Sequence, residues 1–261
     1  MNYESSVYDE YMLDFYIIIS VGYFMRLNKY IASCGVCSRR EADKLIDEGR
    51  VTINGEKAVF GVDVTDTDSV FVDGKKIEPS DEKIVIAYNK PVGVTCTEKD
   101  KYAEKTVIED LGFDKRVTYA GRLDKDSEGL LLMSNDGELI NAMMKGSMKH
   151  EKEYEVTVDT DVTGDFLKAM SSGMYLKELD RRTRACEVKK TGKRSFNIIL
   201  TQGLNRQIRR MCAALGANVV KLKRIRVMNV KLKDYDLKPG KYVVLSEQVV
   251  KKLYKDAGIA R

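Results

Sequence analysis

Residues 121–135 read GRLDKDSEGLLLMSN, a polar segment that runs without a break into an apolar one. The polar part carries Asp124 and Asp126, and the apolar part covers residues 130–133. A short continuous apolar run is typical of a strand buried on both faces, and functional side chains are often found on loops held by such a scaffold. The sequence therefore predicts a carboxylate-bearing loop fixed at the entrance to a buried strand.

The charge of the 261-residue chain is unevenly distributed. Lys and Arg number 45 against 40 Asp and Glu, a formal net charge of +5, and the first 24 residues hold four acids and no base. The remainder therefore has 45 bases against 36 acids, or +9. Residues 188–233 contain thirteen Lys and Arg and no acid. Such a segment favours binding to a nucleic acid, and the alternative is a solvated surface whose acids lie elsewhere in the fold.

The cysteines and the single histidine exclude several kinds of site. Five cysteines without framework spacing, in a chain with no convincing secretory signal, indicate a reducing cytoplasm. The lone Cys34-Gly35-Val36-Cys37 motif would need two more ligands to hold zinc, and His150 is distant in sequence, so we expect no metal. One histidine also argues against Ser/His or Cys/His nucleophilic catalysis.

Residues 1–24 are expected to form an extension outside the fold. Their apolar run, residues 15–24, is too short to span a bilayer and follows acids where a signal peptide would carry bases. Translation from a start upstream of Met25 would explain the extension. A peripheral membrane contact is less favoured because the adjacent acids would repel anionic lipid, so we expect no membrane partner.

Residues 25–78 have the pattern of a small module of helices and short strands. Ser38 and Glu41 form a capping-box pattern at a helix start, and Asn54-Gly55 is a strong hairpin signal. Residues 26–77 resemble the small RNA-binding module first seen in a small-subunit ribosomal protein. By that resemblance and by clustering, the RNA-facing residues are Arg26, Lys29, Arg39, Arg40, Lys44 and Arg50. A solvated helix face is the alternative interpretation of these charges.

Residues 83–261 predict a larger α+β domain around a mostly antiparallel mixed sheet, because strands outnumber helices there. Asn135 is a candidate helix N-cap with Glu138 at the third position. A further helix is predicted to open within residues 202–206, with Arg206 and Arg209 off its apolar stripe.

The Gly-Arg-Leu-Asp motif at 121–124 is similar to the signature of the ribosomal pseudouridine synthases, in the family named for the small-subunit enzyme A. Asn-Lys-Pro at 89–91 also matches the family's entry into its catalytic domain, and residues 203–212 and 226–230 look most like the large-subunit synthase F branch. The resemblance covers residues 25 to about 245. It implies isomerisation of uridine to pseudouridine in ribosomal RNA, most of all large-subunit RNA, without a cofactor.

This chemistry needs a carboxylate, a stacking wall and cations that hold phosphates. Burial can raise the pKa of a carboxylate by about 3 to 5 units, and a nearby Arg lowers it by about 1 to 3. The sequence therefore predicts an Asp–Arg pair in the pocket rather than a pair of acids.

The resemblance assigns individual roles to residues of this chain. Asp124 is the catalytic residue, as nucleophile or as base, and Asp126 is the competing candidate on chemical grounds alone. Tyr154 would stack on the target base, although core packing would also explain an inward tyrosine. The remaining assignments are Arg209 as the cation paired with the carboxylate, Arg206 as its runner-up, Arg122 as a contact to a phosphate or the flipped nucleotide, and Leu222 as a pocket wall.

A noncatalytic RNA-binding or ribosome-assembly factor on the same scaffold is the alternative function. Such a binding factor has no need of the carboxylate, so the complete Asp124, Tyr154 and Arg209 set favours the enzyme. Small-subunit or transfer RNA is an alternative substrate, and a monomer is the default expectation.

Overall fold

The computed structural model describes residues 24–97 and 102–259, and the chain divides into two compact units between Asp81 and Glu82. The predicted extension, residues 1–24, lies outside the described residues except for Phe24. Within the described ranges, no helix combines the length and apolarity that crossing a membrane requires.

The first unit is a small α+β module, as predicted. Ser38 and Glu41 form the expected capping box, and Asn54 and Gly55 take the positive φ values, 53° and 90°, that a tight hairpin turn requires. Strands β3, β2, β5 and β6 form one sheet in that order, and β1 pairs with β4. The elements are β1 (Met25–Arg26), α1 (Leu27–Ser33), α2 (Arg39–Asp47), β2 (Val51–Ile53), β3 (Glu56–Lys57), β4 (Asp63–Val64), β5 (Val70–Val72) and β6 (Lys75–Lys76).

The second unit contains the longer strands. Its elements are β7 (Val85–Lys90), α3 (Val107–Leu111), β8 (Thr118–Tyr119), β9 (Glu128–Ser134), α4 (Gly137–Met144), β10 (Lys152–Val158), α5 (Gly164–Ser171), β11 (Tyr175–Leu176), β12 (Arg181–Arg182), β13 (Glu187–Gly192), β14 (Ser195–Leu200), α6 (Gln207–Ala214), β15 (Val219–Val227), β16 (Val230–Lys231), β17 (Tyr242–Val244) and α7 (Glu247–Asp256).

A nine-stranded sheet organises this unit. Its main path is β13-β14-β10-β15-β9-β7-β17, with β16 added to β15 and β8 added to β9. Every pairing in it is antiparallel except β15 with β9, which is parallel. The predicted α+β fold with a mostly antiparallel mixed sheet is therefore confirmed.

Strand β9 is the buried strand expected from the apolar run. Leu130 and Leu132 belong to a core that also includes α4 and α7 side chains, whereas Leu131 and Met133 belong to a core that includes α3. Because successive side chains of a strand point to opposite faces, a strand between two cores needs an unbroken apolar run.

The N-cap of α4 is Asp136, so the prediction of Asn135 is wrong. Asp136 Oδ1 accepts hydrogen bonds from the amides of Glu138 at 2.9 Å and Leu139 at 3.2 Å. Asn135 instead bonds the neighbouring backbone, accepting from the Ile84 amide at 2.8 Å. Both residue types cap helices well, so local propensity cannot choose between adjacent candidates.

The parallel pairing of β9 with β15 depends on Gly129. This residue lies opposite Arg224 and has a φ of 106°. A Cβ at this position would lie 2.3 Å from the carbonyl oxygen and 2.8 Å from the amide nitrogen of Arg224. The two backbones therefore approach at a distance that only glycine permits.

We expect Gly129→Ala to lower the free energy of unfolding by at least about 1–3 kcal/mol, the cost of backbone strain at such a φ, and to displace β15 from β9. Urea denaturation of the purified variant measures this change. Gly137→Ala is the matched control, because a Cβ there would meet no atom of a sequence-distant residue within 4 Å and Ala favours a helix. Equal stability of the two variants would contradict the role assigned to Gly129.

Candidate active site

A cavity of about 800 Å³ lies in the second unit, beside the loop that precedes β9. We call residues 121–127 the Asp124 loop. Five of the sequence-predicted site residues line the cavity, namely Arg122, Asp124, Tyr154, Arg206 and Leu222. The fold thus brings together residues that are up to a hundred positions apart in the sequence. Arg209 is not part of the lining.

The Asp124 loop is held by hydrogen bonds to its backbone. The Ser127 amide donates to the Asp124 carbonyl at 3.0 Å, which closes a turn around the two acids. The Gly93 amide donates to the Lys125 carbonyl at 2.8 Å. These bonds fix the direction in which the Asp124 side chain leaves the backbone.

Lys90 supports the same loop from the end of β7. Its ammonium group is fully buried and donates to the Ser127 carbonyl at 2.8 Å and the Pro91 carbonyl at 2.9 Å. Burial lowers the pKa of Lys90, while the charges of Asp124 and Asp126 act in the opposite direction. The lysine was not predicted as a site residue, although a lysine closing an apolar strand was a signal that could have identified it.

Arg206 contacts both acids of the loop. Its guanidinium makes two hydrogen bonds to the Asp126 carboxylate, at 2.9 and 3.2 Å, and its Nη1 lies 3.7 Å from Asp124 Oδ2. Arg206 immediately precedes α6 and has a φ of 50°. The helix predicted to open within 202–206 therefore begins one residue later, at Gln207. This backbone conformation sets the direction of the Arg206 side chain.

Arg209 does not pair with Asp124, contrary to the prediction from the sequence. Its Nη2 donates to the Asp126 carbonyl at 2.9 Å and to Ser127 Oγ at 3.2 Å, and its Nη1 donates to the Val219 carbonyl at 3.1 Å. Its ion pair, at 3.3 Å, is with Asp126. The predicted Asp–Arg pairing is thus made by the runner-up, Arg206, and Arg209 connects the loop to the start of β15.

Asp126 is the more strongly paired of the two acids. Burial raises the pKa of Asp126. The hydrogen bonds from Arg206 and the charge of Arg209 together lower it by more, so this pKa lies below its ordinary value. Because the folded-state pKa is depressed, the stabilisation is present above the unfolded pKa and is lost as the pH falls through the lowered value. Asp126 therefore remains ionised and braces the loop at neutral pH.

Tyr154 and Leu222 form part of the cavity wall on adjacent strands. Tyr154 on β10 lies opposite Arg224 of β15, and Leu222 lies opposite Val156. Tyr154 is half-buried and also packs against two hydrophobic cores. Tyr154 therefore packs against the core and also lines the cavity.

Arg224 is a cavity-lining residue that the sequence analysis missed. Its side chain is buried, with Nε donating to the Leu130 carbonyl at 2.7 Å and Nη1 to the Arg122 carbonyl at 3.5 Å. The available signal was strand alternation, since Arg224 is two residues beyond Leu222 and must face the same side of β15.

Lys152 and His150 also line the cavity and were not predicted. Burial lowers the pKa of Lys152, and the charge of Arg224 adds to that effect. Burial also lowers the pKa of His150, with a further contribution from Lys152. The imidazole is therefore neutral at pH 7.

The basic residues predicted to face RNA in the first unit differ in their pairing. Arg50 makes two hydrogen bonds to Asp73, at 2.6 and 2.7 Å, and Arg26 pairs with Asp63 at 3.4 Å. The half-buried Lys29 and the exposed Arg39, Arg40 and Lys44 make no ion pair with another described residue. The charged groups of Lys29, Arg39, Arg40 and Lys44 are therefore available to an external anion.

Several cations of the acid-free segment are paired with acids from elsewhere in the fold. Lys221 pairs with Glu128 at 3.2 Å, and Arg226 pairs with Glu151 at 3.0 Å and Glu153 at 2.9 Å. The alternative interpretation, a solvated surface whose acids lie elsewhere in the fold, therefore holds for part of this segment. Cations that are consecutive in sequence need not form an unpaired patch on the surface.

The described residues contain no cluster of three or more His, Cys, Asp or Glu side chains suited to a metal ion. All five cysteines lie in the described part of the chain, and none is in a disulfide.

Comparison with known proteins identifies the family. The family described as RNA pseudouridylate synthase matches residues 84–214, and the S4 domain matches residues 25–58. The chain belongs to the RNA pseudouridine synthase family. It is 44% identical over 233 residues to the dual-specificity RNA pseudouridine synthase RluF of Escherichia coli (strain K12), covering 88% of this chain and 79% of that protein.

Other pseudouridine synthases are also similar to this chain, at lower sequence identity. The ribosomal large subunit pseudouridine synthase B of Yersinia pestis is 36% identical over 217 residues, which cover 79% of this chain and 68% of that protein. A crystal structure of a pseudouridylate synthase superposes with a TM-score of 0.64 at 29% identity, covering 88% of this chain and 99% of the other. The chain is therefore an enzyme that converts uridine in RNA to pseudouridine, and the alternative of a noncatalytic binding factor is not supported.

In this pseudouridine synthase we expect Arg209→Ala to lower kcat about 100-fold, because loss of its bonds to Asp126 and Ser127 would let the Asp124 loop shift, and misplacement by about 1 Å can have an effect of that size. Multiple-turnover formation of pseudouridine at saturating substrate RNA measures the change. Arg210→Ala on the same helix is the control. Arg210 pairs with Glu178 and bonds Asn205, away from the loop, so kcat should stay within threefold. A normal kcat for Arg209→Ala would contradict its bracing role.

Proposed function

We propose that Asp124 carries the isomerisation and that the substrate is ribosomal RNA, in particular RNA of the large subunit. The observation behind the catalytic assignment is that Asp124 is the single carboxylate among the described residues lining the cavity. Asp126, the competing candidate, is outside the lining and is occupied by Arg206 and Arg209.

The reaction rearranges bonds without adding or removing atoms. The bond from ribose C1′ to uracil N1 breaks, the base turns, and a bond from C1′ to C5 forms, while C5 loses a proton and N1 gains one. A carboxylate can take part as a nucleophile at C1′ or as a base. In either role Asp124 acts beside Arg206, whose guanidinium at 3.7 Å supplies a positive charge next to the reacting group.

The other cavity residues suit the handling of a detached base. Tyr154 would stack on the target uracil, since aromatic rings bind nucleobases by their faces, and Leu222 on the adjacent strand would extend the same wall with an apolar surface. Arg122 is exposed at the cavity and would hold a phosphate or the sugar of the extruded nucleotide. Extruding the uridine from its stack costs a few kcal/mol, roughly, which these contacts would have to offset.

The substrate proposal is supported by the relatives. The Yersinia pestis protein is named as a large-subunit ribosomal enzyme, and the Escherichia coli protein as one of dual specificity for RNA. Membership of the family named for the small-subunit enzyme A remains a prediction from the Gly-Arg-Leu-Asp motif.

We expect Asp124→Asn to reduce pseudouridine formation to the background of the assay, because the amide keeps the shape of the side chain but is neither a nucleophile nor a base. Asp126→Asn is the matched control. It loses the ion pairs to Arg206 and Arg209 but keeps the proposed reacting group, so it should retain measurable activity. Chemical mapping of pseudouridine in unmodified ribosomal RNA after incubation with each protein provides the measurement. Identical maps for wild type and Asp124→Asn would refute the assignment.

The same mapping distinguishes the RNA classes. Purified large-subunit, small-subunit and transfer RNA are incubated separately with the wild-type enzyme. New pseudouridine in large-subunit RNA supports the proposed substrate, whereas modification confined to either other class would replace it.

We further propose residues 25–78 as an RNA-binding domain that precedes the catalytic domain, residues 83–261. The S4 match to residues 25–58 supports RNA binding by the first unit. Within it, the exposed Arg39 and Arg40 are the best candidates for phosphate contacts, whereas Arg50 is occupied by Asp73.

We expect the double variant Arg39→Ala/Arg40→Ala to bind RNA more weakly and to reduce the slope of log K against log salt by about 0.7 to 0.9 for each lost phosphate contact. Arg50→Ala, whose side chain is held by Asp73, should leave the slope nearly unchanged. Filter binding over a range of salt concentrations gives both values. An unaltered slope for the double variant would exclude this face as an RNA contact.

We also propose a reducing compartment, the cytoplasm, for this enzyme. The support is that its five cysteines are free of disulfides. A monomer remains the default expectation.

A further inference from the structure

Several residues that line the cavity carry a buried hydrogen-bonding atom with no partner in the protein. Five buried side-chain atoms of the described residues have no hydrogen-bond partner, namely His150 Nε2, Gln202 Nε2, Arg209 Nε, Arg224 Nη2 and Asn229 Oδ1. Three of them, those of His150, Gln202 and Arg224, belong to residues that line the cavity. Because an unsatisfied buried polar group costs free energy, their concentration at one place indicates a ligand that satisfies them.

Arg224 is the most constrained of the three. Its residue is only 2% exposed, and two of its nitrogens are held by the carbonyl oxygens of Leu130 and Arg122. The guanidinium is planar, so these bonds also fix the direction of the remaining nitrogen, Nη2. The result is a rigid, unpartnered donor on a residue that lines the cavity.

The neighbours of Arg224 favour a base rather than a phosphate as its partner. Arg224 lies directly across from Tyr154 on the adjacent strand and two residues beyond Leu222 on its own strand. A phosphate is charged, and removing it from water costs free energy. An exposed cation such as Arg122 therefore suits a phosphate better than Arg224, whose side chain is almost completely buried.

We propose that Nη2 of Arg224 donates a hydrogen bond to a carbonyl oxygen of the target uracil and makes Arg224 a specificity-determining residue. This inference rests on the proposed placement of the target base against Tyr154. Uracil presents acceptors at O2 and O4, whereas cytosine carries an amino donor in place of O4. A fixed donor facing O4 would meet another donor in cytosine and leave both unpaired.

Arg224 also positions the Asp124 loop. The carbonyl groups that it bonds belong to Arg122, two residues before Asp124, and Leu130, six residues after it. A substitution at Arg224 therefore has two consequences, a looser loop and a lost contact to the base. Loss of activity alone cannot separate them, so the test has to change the substrate as well as the enzyme.

The experiment pairs Arg224→Gln with three synthetic RNAs that carry uridine, 2-thiouridine or 4-thiouridine at the modified position. Sulfur is a weak acceptor, so replacing the contacted oxygen should slow single-turnover pseudouridine formation by the wild type about 10- to 100-fold relative to the other thio position. In Arg224→Gln the difference between the two thio RNAs should shrink to within threefold. The position that loses its effect identifies O2 or O4 as the partner.

Arg122→Ala is the control variant, because removing its exposed side chain leaves intact the backbone carbonyl that Arg224 bonds. It should slow all three RNAs by a common factor and preserve the wild-type difference between them. The proposal is overturned if the wild type reacts equally with both thio RNAs, or if Arg224→Gln retains the full wild-type difference.

The wild-type comparison needs no variant, so it tests the proposal even if Arg224→Gln fails to fold, and Arg224→Lys supplies a second substitution that keeps the charge. The outcome is also distinct from failure of the catalytic assignment. If Asp124 is not the catalytic residue, Asp124→Asn retains activity on uridine RNA, whatever the thio RNAs show.

Discussion

The close approach of the Gly129 and Arg224 backbones is the contact on which the site depends. It is the parallel pairing in a sheet whose other strand pairs are antiparallel, and it joins β9, which follows the Asp124 loop, to β15, which carries Arg224. A side chain at Gly129 would collide with the Arg224 carbonyl. Asp124 lies on the loop before β9, and Tyr154 lies on β10 beside β15. The pairing of β9 with β15 therefore brings both residues to the same cavity.

Charge pairing then determines how the loop is held. Lys90 comes from the end of β7, Arg206 and Arg209 come from the start of α6, and all three reach residues 124–127. Two of these cations belong to the segment that contains no acid in sequence, and Asp126 supplies the missing negative charge from a distance of about eighty positions. The acid-free segment is therefore partly a structural complement to the loop.

Local patterns predicted the elements better than the contacts between them. The buried strand, the capping box at Ser38 and the hairpin at Asn54 depend on neighbouring residues, so they were visible in the sequence. The choice of Arg206 over Arg209 was not, because it depends on the left-handed backbone at Arg206, which sets where α6 begins. Arg224 was missed for another reason: alternation gives its direction, but burial of a charged side chain requires carbonyl partners that only the folded chain supplies.

The two acids of the loop differ in how they are paired. Asp126 receives two hydrogen bonds from Arg206 and an ion pair from Arg209, whereas Asp124 has a longer contact to Arg206, at 3.7 Å. A carboxylate saturated with close donors makes a poor nucleophile, because its lone pairs are already engaged. The same cations that hold Asp126 in place thus leave an oxygen-bearing group, Asp124, on the cavity surface at a fixed position. The proposed catalytic role of Asp124 fits this arrangement, because Asp126 anchors the loop through two arginines while the Asp124 carboxylate lies in the lining of the cavity.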